Sequence, residues 1–254
     1  MEDRTPVGPY KDSKARDPRV AAAIRSGVAV GLAVSLYGVS FGALAVAAGL
    51  DVWQTCVLSL LMFTGGSQFA LIGVLAAGGV PVTAATGWSA IAAATLLGTR
   101  NALYALRTAP IVGPGAARRL LAAHWTIDET AAVSTAQPTP EARRAGFWVT
   151  GAVIYAGWNT TTLIGALLGD LLGDVRAWGL DAAAAAAFLG LLWPRLRGLQ
   201  PVAVAIAAAV VAVALAPWTP AGVPVLAAAA VAIVAGLTNA LGRRRGTAGE
   251  GTPA

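Results

Sequence analysis

Leu58–Gly78 reads LSLLMFTGGSQFALIGVLAAG, long and apolar enough to cross a bilayer, yet it holds Gly65-Gly66-Ser67-Gln68 at its middle. A span needs about 20 predominantly apolar residues to cover a hydrocarbon core roughly 30 Å thick. A simple anchor would fill its midpoint with Leu or Ala. Here two glycines weaken the helix, and two polar side chains demand hydrogen-bond partners. Irregular backbone at membrane depth is tolerated only where protein or a wet cavity surrounds it, and transporters bind solutes at such breaks. The stretch predicts a transport protein with a polar break at its centre.

Composition points the same way. The chain is 57% hydrophobic and 12% charged, with a mean hydropathy of +0.68, so it reads as an all-α, polytopic helical membrane protein and not a soluble domain. Its charges fall in clumps: the first 25 residues, Arg100–Arg144, Asp170–Asp181, Arg195–Arg197 and Arg243–Arg245. The net charge of +6 therefore belongs to arginines that flank apolar spans, where they set orientation and meet lipid phosphates; it is no nucleic-acid footprint. Cys56 and His124 are each the only residue of their type. That rules out an intrachain disulfide and a Cys- or His-cluster metal centre, and no cofactor is expected. Alone at the membrane edge, His124 is read as structural.

Between the clumps, about seven hydrophobic segments of near-spanning length can be drawn. Residues 1–23 read as a polar, disordered cytoplasmic tail, 24–241 as the transmembrane domain and 242–254 as a second polar tail. Span one, Ile24–Leu50, carries Gly27/Gly31 and Gly38/Gly42, pairs with the four-residue spacing of close helix packing in lipid. Span two is Val52–Gly78. Span three starts after Pro81 and is interrupted at Thr99-Arg100-Asn101, where an arginine must leave the membrane, snorkel, pair or line an aqueous path. Ala116–Gln137 is too polar to span and fits a surface helix or a short re-entrant segment, closed by the turn Pro138-Thr139-Pro140. Span four, Phe147–Leu168, has a second polar patch at Trp158-Asn159-Thr160-Thr161-Thr162. Spans five to seven are Trp178–Trp193, Pro201–Ala216 and Val223–Leu241.

GALAVAAGLDVW with Phe63 is echoed by GALLGDLLGDVRAW with Phe188, which suggests duplicated helix pairs running the same way. Arginine placement puts the N-terminal tail, Arg118–Arg144, Arg195–Arg197 and Arg243–Arg245 in the cytoplasm. That scheme needs an even number of passes between Gly79 and Arg118. Either the chain turns back near Gly98–Pro110 or one basic loop is misplaced.

Phe41-Gly42, Gly65-Gly66-Ser67-Gln68-Phe69, Arg100-Asn101-Ala102-Leu103-Tyr104 and Thr126-Ile127-Asp128-Glu129, in that order and spacing, resemble the AzlC family. The likeness covers Ser26–Leu241. Gly66 stands where the family commonly has alanine, Gly98 where it has an asparagine, and Ile127 separates Thr126 from Asp128. The resemblance implies the large subunit of a branched-chain amino acid exporter in the inner (plasma) membrane, with a small AzlD-type hydrophobic subunit as partner.

For a zwitterionic solute, free N–H groups and the positive dipole end of a broken helix at Gly65 and Gly66 suit the carboxylate. Ser67 and Gln68 add hydroxyl and amide bonds, unless they serve only to bond neighbouring helices. Arg100 can hold a carboxylate bidentately. Asn159, Thr160 and Thr161 are candidates for the same cavity, and Asp128 or Glu129 for the ammonium or a coupling proton. With no G-x-x-x-x-G-K-[ST] phosphate loop, the energy source is expected to be an ion gradient, most simply protons. A channel, a transporter for another small zwitterionic solute and a membrane-embedded enzyme are the alternatives, the last without paired carboxylates or His-rich motifs inside a span.

Overall fold

A computed structural model describes residues 17–79, 81–172, 189–190, 192–193, 196–220 and 222–238. Span five, the Trp178/Phe188 half of the echo, Arg195 and Arg243–Arg245 lie wholly or mostly outside them. The described residues are helical and loop only: α1 (Pro18–Ser35), α2 (Tyr37–Ala47), α3 (Val52–Leu61), α4 (Gly65–Gly78), α5 (Ala84–Val112), α6 (Ala116–Trp125), α7 (Asp128–Thr135), α8 (Pro140–Leu172), α9 (Leu199–Leu215) and α10 (Val223–Thr238). By length and composition, the stretch Pro18–Ala47 can cross a membrane, with a hydropathy of 1.9. The helices α3, α4, α9 and α10 are apolar but shorter.

Several expected boundaries move. Span one is two helices that meet at Leu36, and α1 already begins at Pro18, so residues 18–23 of the expected tail are helical. Span two does break, but at Met62-Phe63-Thr64: glycine at a first helical turn costs far less than in a helix interior, so Gly65–Gln68 open α4 instead of interrupting it. The interruption expected at Thr99-Arg100-Asn101 is absent. The 29-residue helix α5 runs unbroken through it, because Arg and Asn are tolerated in helices wherever their polar ends are accommodated. The chain therefore does not turn back at Gly98–Pro110; it turns at Gly113 and Gly115, both at positive φ. Ala116–Gln137 folds as two short helices, α6 and α7, joined at Thr126-Ile127, and not as one continuous helix. Asp51 caps α3 by accepting from the Gln54 amide N–H at 2.7 Å, while the Gln54 side chain accepts from the Asp51 N–H at 3.0 Å.

The chain divides into two compact units. The first holds the described residues up to Ala33 with Leu103–Ile154. Here Gly27 and Gly31 of α1 lie against α8: a Cβ on Gly27 would stand 2.7 Å from the Thr150 hydroxyl, and one on Gly31 2.5 Å from Val153 Cγ1. Val112, Ala122 and Phe147 form a small core with Ile111 and Trp148. The α6–α7 corner is tied by Thr130, whose hydroxyl donates to Trp125 O at 2.9 Å and accepts from the Ile127 N–H at 3.0 Å.

The second unit holds Val34–Ala102 and the described residues from Tyr155 onward. Helices α2 and α8 meet in it through reciprocal glycines. Gly38 faces Thr161 and the Trp158 carbonyl, and Gly42 faces the Thr162 carbonyl and the Ala166 N–H. In return Gly165 faces the Val39 carbonyl, and Gly169 lies against Ala43. Rising numbers on one helix meet rising numbers on the other, so the two run parallel. The exchange links Gly42-Ala43 with Gly165-Ala166, the start of the two echoed stretches. At Gly42, Gly165 and Gly169 glycine is required because backbone, not side chain, is the neighbour. Both glycine pairs noted in the sequence are thus used inside the chain. The neighbour at both pairs is α8 of the same chain.

Candidate functional site

The break between α3 and α4 leaves the last carbonyls of one helix and the first N–H groups of the next without intrahelical partners. Gln68, fully buried, answers the first need. Its Nε2 donates to Met62 O at 2.7 Å and to Ser59 O at 3.4 Å. Its Oε1 accepts from the indole Nε1–H of Trp158 on α8 at 2.8 Å. Both ends of the amide are therefore engaged, and the break is held open by a side chain from its far side.

Aromatic rings enclose that amide. Phe41 is fully buried, stacks on Trp158 with centroids 6.3 Å apart and meets Phe69 edge-on at 5.8 Å. Phe69 in turn meets Trp158 edge-on at 6.3 Å. An apolar enclosure of this kind strengthens each hydrogen bond inside it and raises the cost of losing one partner. Just beyond, the Ser59 hydroxyl donates to Thr162 Oγ1 at 3.4 Å.

The N-terminal side of the break is differently furnished. Thr64, at the cap position of α4, makes no side-chain bond to the helix N–H groups. Its hydroxyl lies 3.5 Å from Ser67 Oγ. Gly65 abuts the Trp158 ring, where a Cβ would meet Cη2 at 2.9 Å. Gly66 abuts Arg100: a Cβ there would stand 2.7 Å from the guanidinium Nη2. A groove of about 470 Å³ runs along this side, lined by Met62, Thr64, Ser67 and Leu71 on one wall and by Ile91, Ala94, Thr95, Gly98 and Thr99 of α5 on the other. Hydroxyls of Thr64 and Ser67 and a short apolar wall thus share one space with the start of α4. That volume is within the range of small-molecule sites.

Of the residues singled out in the sequence, the structure brings together Gly65, Gly66, Ser67, Gln68 and Arg100. Asn159 follows Trp158 on α8; its Nδ2 donates to Tyr155 O at 2.7 Å, and its Oδ1 is buried without a hydrogen-bond partner. Thr160 is exposed, and its hydroxyl donates to Ala156 O of its own helix at 2.8 Å. Asp128 and Glu129 belong to the first unit, in the first turn of α7, both half-buried. The sequence marks Trp158 and Thr99 only as members of a polar patch and of an interruption, and gives no sign of Ser59, which holds Gln68 with Trp158, or of Ile91 and Thr95, which line the groove with Thr99. A signal existed for Trp158. An indole N–H inside an apolar span needs an acceptor, and a glutamine at the centre of another span offers one.

A family model described as AzlC protein matches residues 29–172, more than half of the chain. No curated protein and no solved structure matches it.

Proposed function

The chain belongs to the AzlC family, a family of membrane transport, and from that premise we propose that it exports branched-chain amino acids as the large subunit of a two-component exporter. The observation that supports this most is the groove beside the α3–α4 break. Its chemistry suits a small amphipathic solute: a helix start and hydroxyls at one end, Leu71, Ile91 and Ala94 for an aliphatic side chain at the other.

In this proposal the N–H groups at Gly65, Gly66 and Ser67 receive the carboxylate, with the positive end of the α4 dipole behind them. Arg100, beside Gly66, supplies the counter-charge. Gln68 is a positioning residue, because its amide already ties α3 to Trp158. Asn159 offers a buried acceptor for the ammonium, and Thr160 stays at the margin of the site. Asp128 or Glu129 carries the coupling proton. The polytopic arrangement of about seven segments in the plasma membrane, with the N-terminus in the cytoplasm, is part of the same proposal, as is the small AzlD-type partner.

The test is uptake of labelled valine, leucine and isoleucine into inverted vesicles carrying this chain and its small partner, with and without an imposed proton gradient. Gradient-dependent accumulation is expected, and cells lacking the protein should be more sensitive to excess of these amino acids or a toxic analogue. Flux that ignores the gradient would mark a channel. Equal intracellular pools with and without the protein would remove the export assignment.

A further inference from the structure

Away from the α3–α4 break, in the first unit, the turn between α5 and α6 brings two arginines to one point. Gly113 sits at φ 91°. A Cβ on it would stand 3.0 Å from Arg118 Nη1 of α6 and 3.7 Å from Arg144 Cζ of α8. Two guanidiniums are thus gathered around one glycine, and among the described residues neither has a carboxylate partner. Arg144 Nε donates to the Ile111 carbonyl at 3.2 Å, which fixes its plane and leaves the two Nη groups to point elsewhere. Like charges this close repel unless an anion bridges them.

Beside them opens a groove of about 430 Å³ lined by Ala117, Arg118, Leu121, Arg144 and Trp148. Its wall is apolar except for the two guanidiniums and the Trp148 indole. A free phosphate, with four oxygens to satisfy, finds few donors there. A phosphodiester needs partners only for two non-bridging oxygens, which share one charge, and in a lipid it brings hydrocarbon that Leu121 and Trp148 can cover. The same helix carries Arg119 beside Arg118 and an exposed Leu120, the mixture of cations and leucine found on helices that lie in a membrane interface. Basic pockets between helices on the cytoplasmic side are where anionic headgroups settle.

We propose that the Arg118–Arg144 groove is a binding site for an anionic phospholipid, its phosphodiester between the two guanidiniums and its chain along Leu121 and Trp148. The inference rests on the membrane placement of the chain and not on which solute it carries, so its test reads binding alone.

The full chain in neutral detergent is titrated with phosphatidylglycerol, phosphatidylcholine and inorganic phosphate, with retained lipid read by native mass spectrometry and the thermal midpoint followed in parallel. Phosphatidylglycerol is expected to be retained and to raise the midpoint; the other two are not. Arg118→Gln, which breaks no hydrogen bond to the protein, is the cleaner variant and should weaken lipid retention about tenfold, as the loss of one charge-assisted bond implies. Arg118→Gln/Arg144→Gln should lose it altogether. Arg119→Gln, one residue away and outside the groove, should bind as the parent does. Equal weakening by Arg119→Gln would reduce the effect to general charge. Equal retention of phosphatidylcholine, protection by inorganic phosphate, or undiminished binding by Arg118→Gln would each overturn the proposal.

Discussion

Trp158 on α8 donates its indole N–H to Oε1 of Gln68 on α4 at 2.8 Å, while Nε2 of the same Gln68 donates to Met62 O at the end of α3 at 2.7 Å. One amide thus connects three helices at the point where α3 stops and α4 starts. The break is held by a specific bond between two side chains, with Phe41 and Phe69 closing around it.

Trp158→Phe keeps the ring packing and removes the donor. Buried hydrogen bonds in membrane proteins are worth on the order of 1 kcal/mol, so the variant should fold with a modestly lower thermal midpoint. Gln68→Ala removes all three bonds and should cost more. Combined, the two should fall short of the sum of their separate effects, since both delete the same bond. Additive losses in that cycle would mean the Trp158–Gln68 bond contributes nothing, and transport by Gln68→Ala at the parent rate would show the break to be a packing feature.

The two glycines that open α4 should answer differently to alanine. At Gly65 the new methyl meets the Trp158 ring at 2.9 Å, and that ring is locked by its indole bond and two aromatic neighbours. At Gly66 it meets the far ends of two long side chains, the Arg100 guanidinium at 2.7 Å and Leu97 Cδ2 at 3.4 Å. Gly65→Ala is therefore expected to reduce folded yield, whereas Gly66→Ala, which installs the residue the family commonly carries there, should express normally and transport near the parent rate. Arg100→Ala should lower transport. Full activity in Arg100→Ala would take Arg100 out of the site.

Gly42 and Gly165 face backbone carbonyls of the opposite helix, so neither Gly42→Ala nor Gly165→Ala can be absorbed by a rotamer change. Each should force α2 and α8 apart and lower the amount of folded protein in detergent. Gly73 on α4 has nothing within 4 Å of its Cβ position. Gly73→Ala should be neutral or should stabilise by about 0.5–1 kcal/mol through helix propensity. A Gly73→Ala loss as large as that of Gly42→Ala, compared by thermal midpoint, would contradict the reciprocal packing.

Much of this arrangement was legible in the residues. Gly27/Gly31 and Gly38/Gly42 announced close packing by spacing alone, and Gly65–Gln68 announced an irregularity in span two. The position of the break was misread because glycine marks both an interruption and a helix start. What decides between them is the distant glutamine–tryptophan bond, which local pattern does not contain. Arg100 was misread as an interruption because charge was taken to end a helix. Its surroundings at Gly66, brought by a different segment, let α5 continue. The partner of the glycine stripe was invisible for a similar reason: spacing shows that something approaches, not that it is α8 of the same chain.

Asp128 and Glu129 occupy the first turn of α7, where carboxylates are favoured by the helix dipole by about 0.3–1 kcal/mol whatever else they do. A coupling role makes a different demand. Asp128→Asn and Glu129→Gln should then preserve amino-acid counterflow, which moves no net proton, and one of them should abolish accumulation driven by a pH gradient. If both retain gradient-driven accumulation and differ from the parent only in thermal midpoint, the pair serves α7 and the coupling group lies elsewhere.

A small partner subunit cannot use the glycine faces, because α8 already covers them. Exposed apolar side chains on the second unit are one surface on which to test it. On α3, Trp53 and Leu61 are 75% and 74% exposed, and on α9 and α10, Val213 and Leu237 are 74% and 83% exposed. Helices α9 and α10 pack on one another, yet neither has a buried residue. Side chains of this kind suit lipid as well as protein, so the discriminating measurement is dependence on the partner. Tagged chain is purified in mild detergent with and without a co-expressed AzlD-type subunit. Co-purification in fixed ratio, with transport in liposomes only when both are present, is the expected result. Trp53→Lys and Val213→Lys should show which face is used, since a lysine within a protein contact breaks co-purification, while one near a helix end facing lipid snorkels to the headgroups. A chain that is monodisperse alone and transports at full rate in liposomes would make the second subunit dispensable.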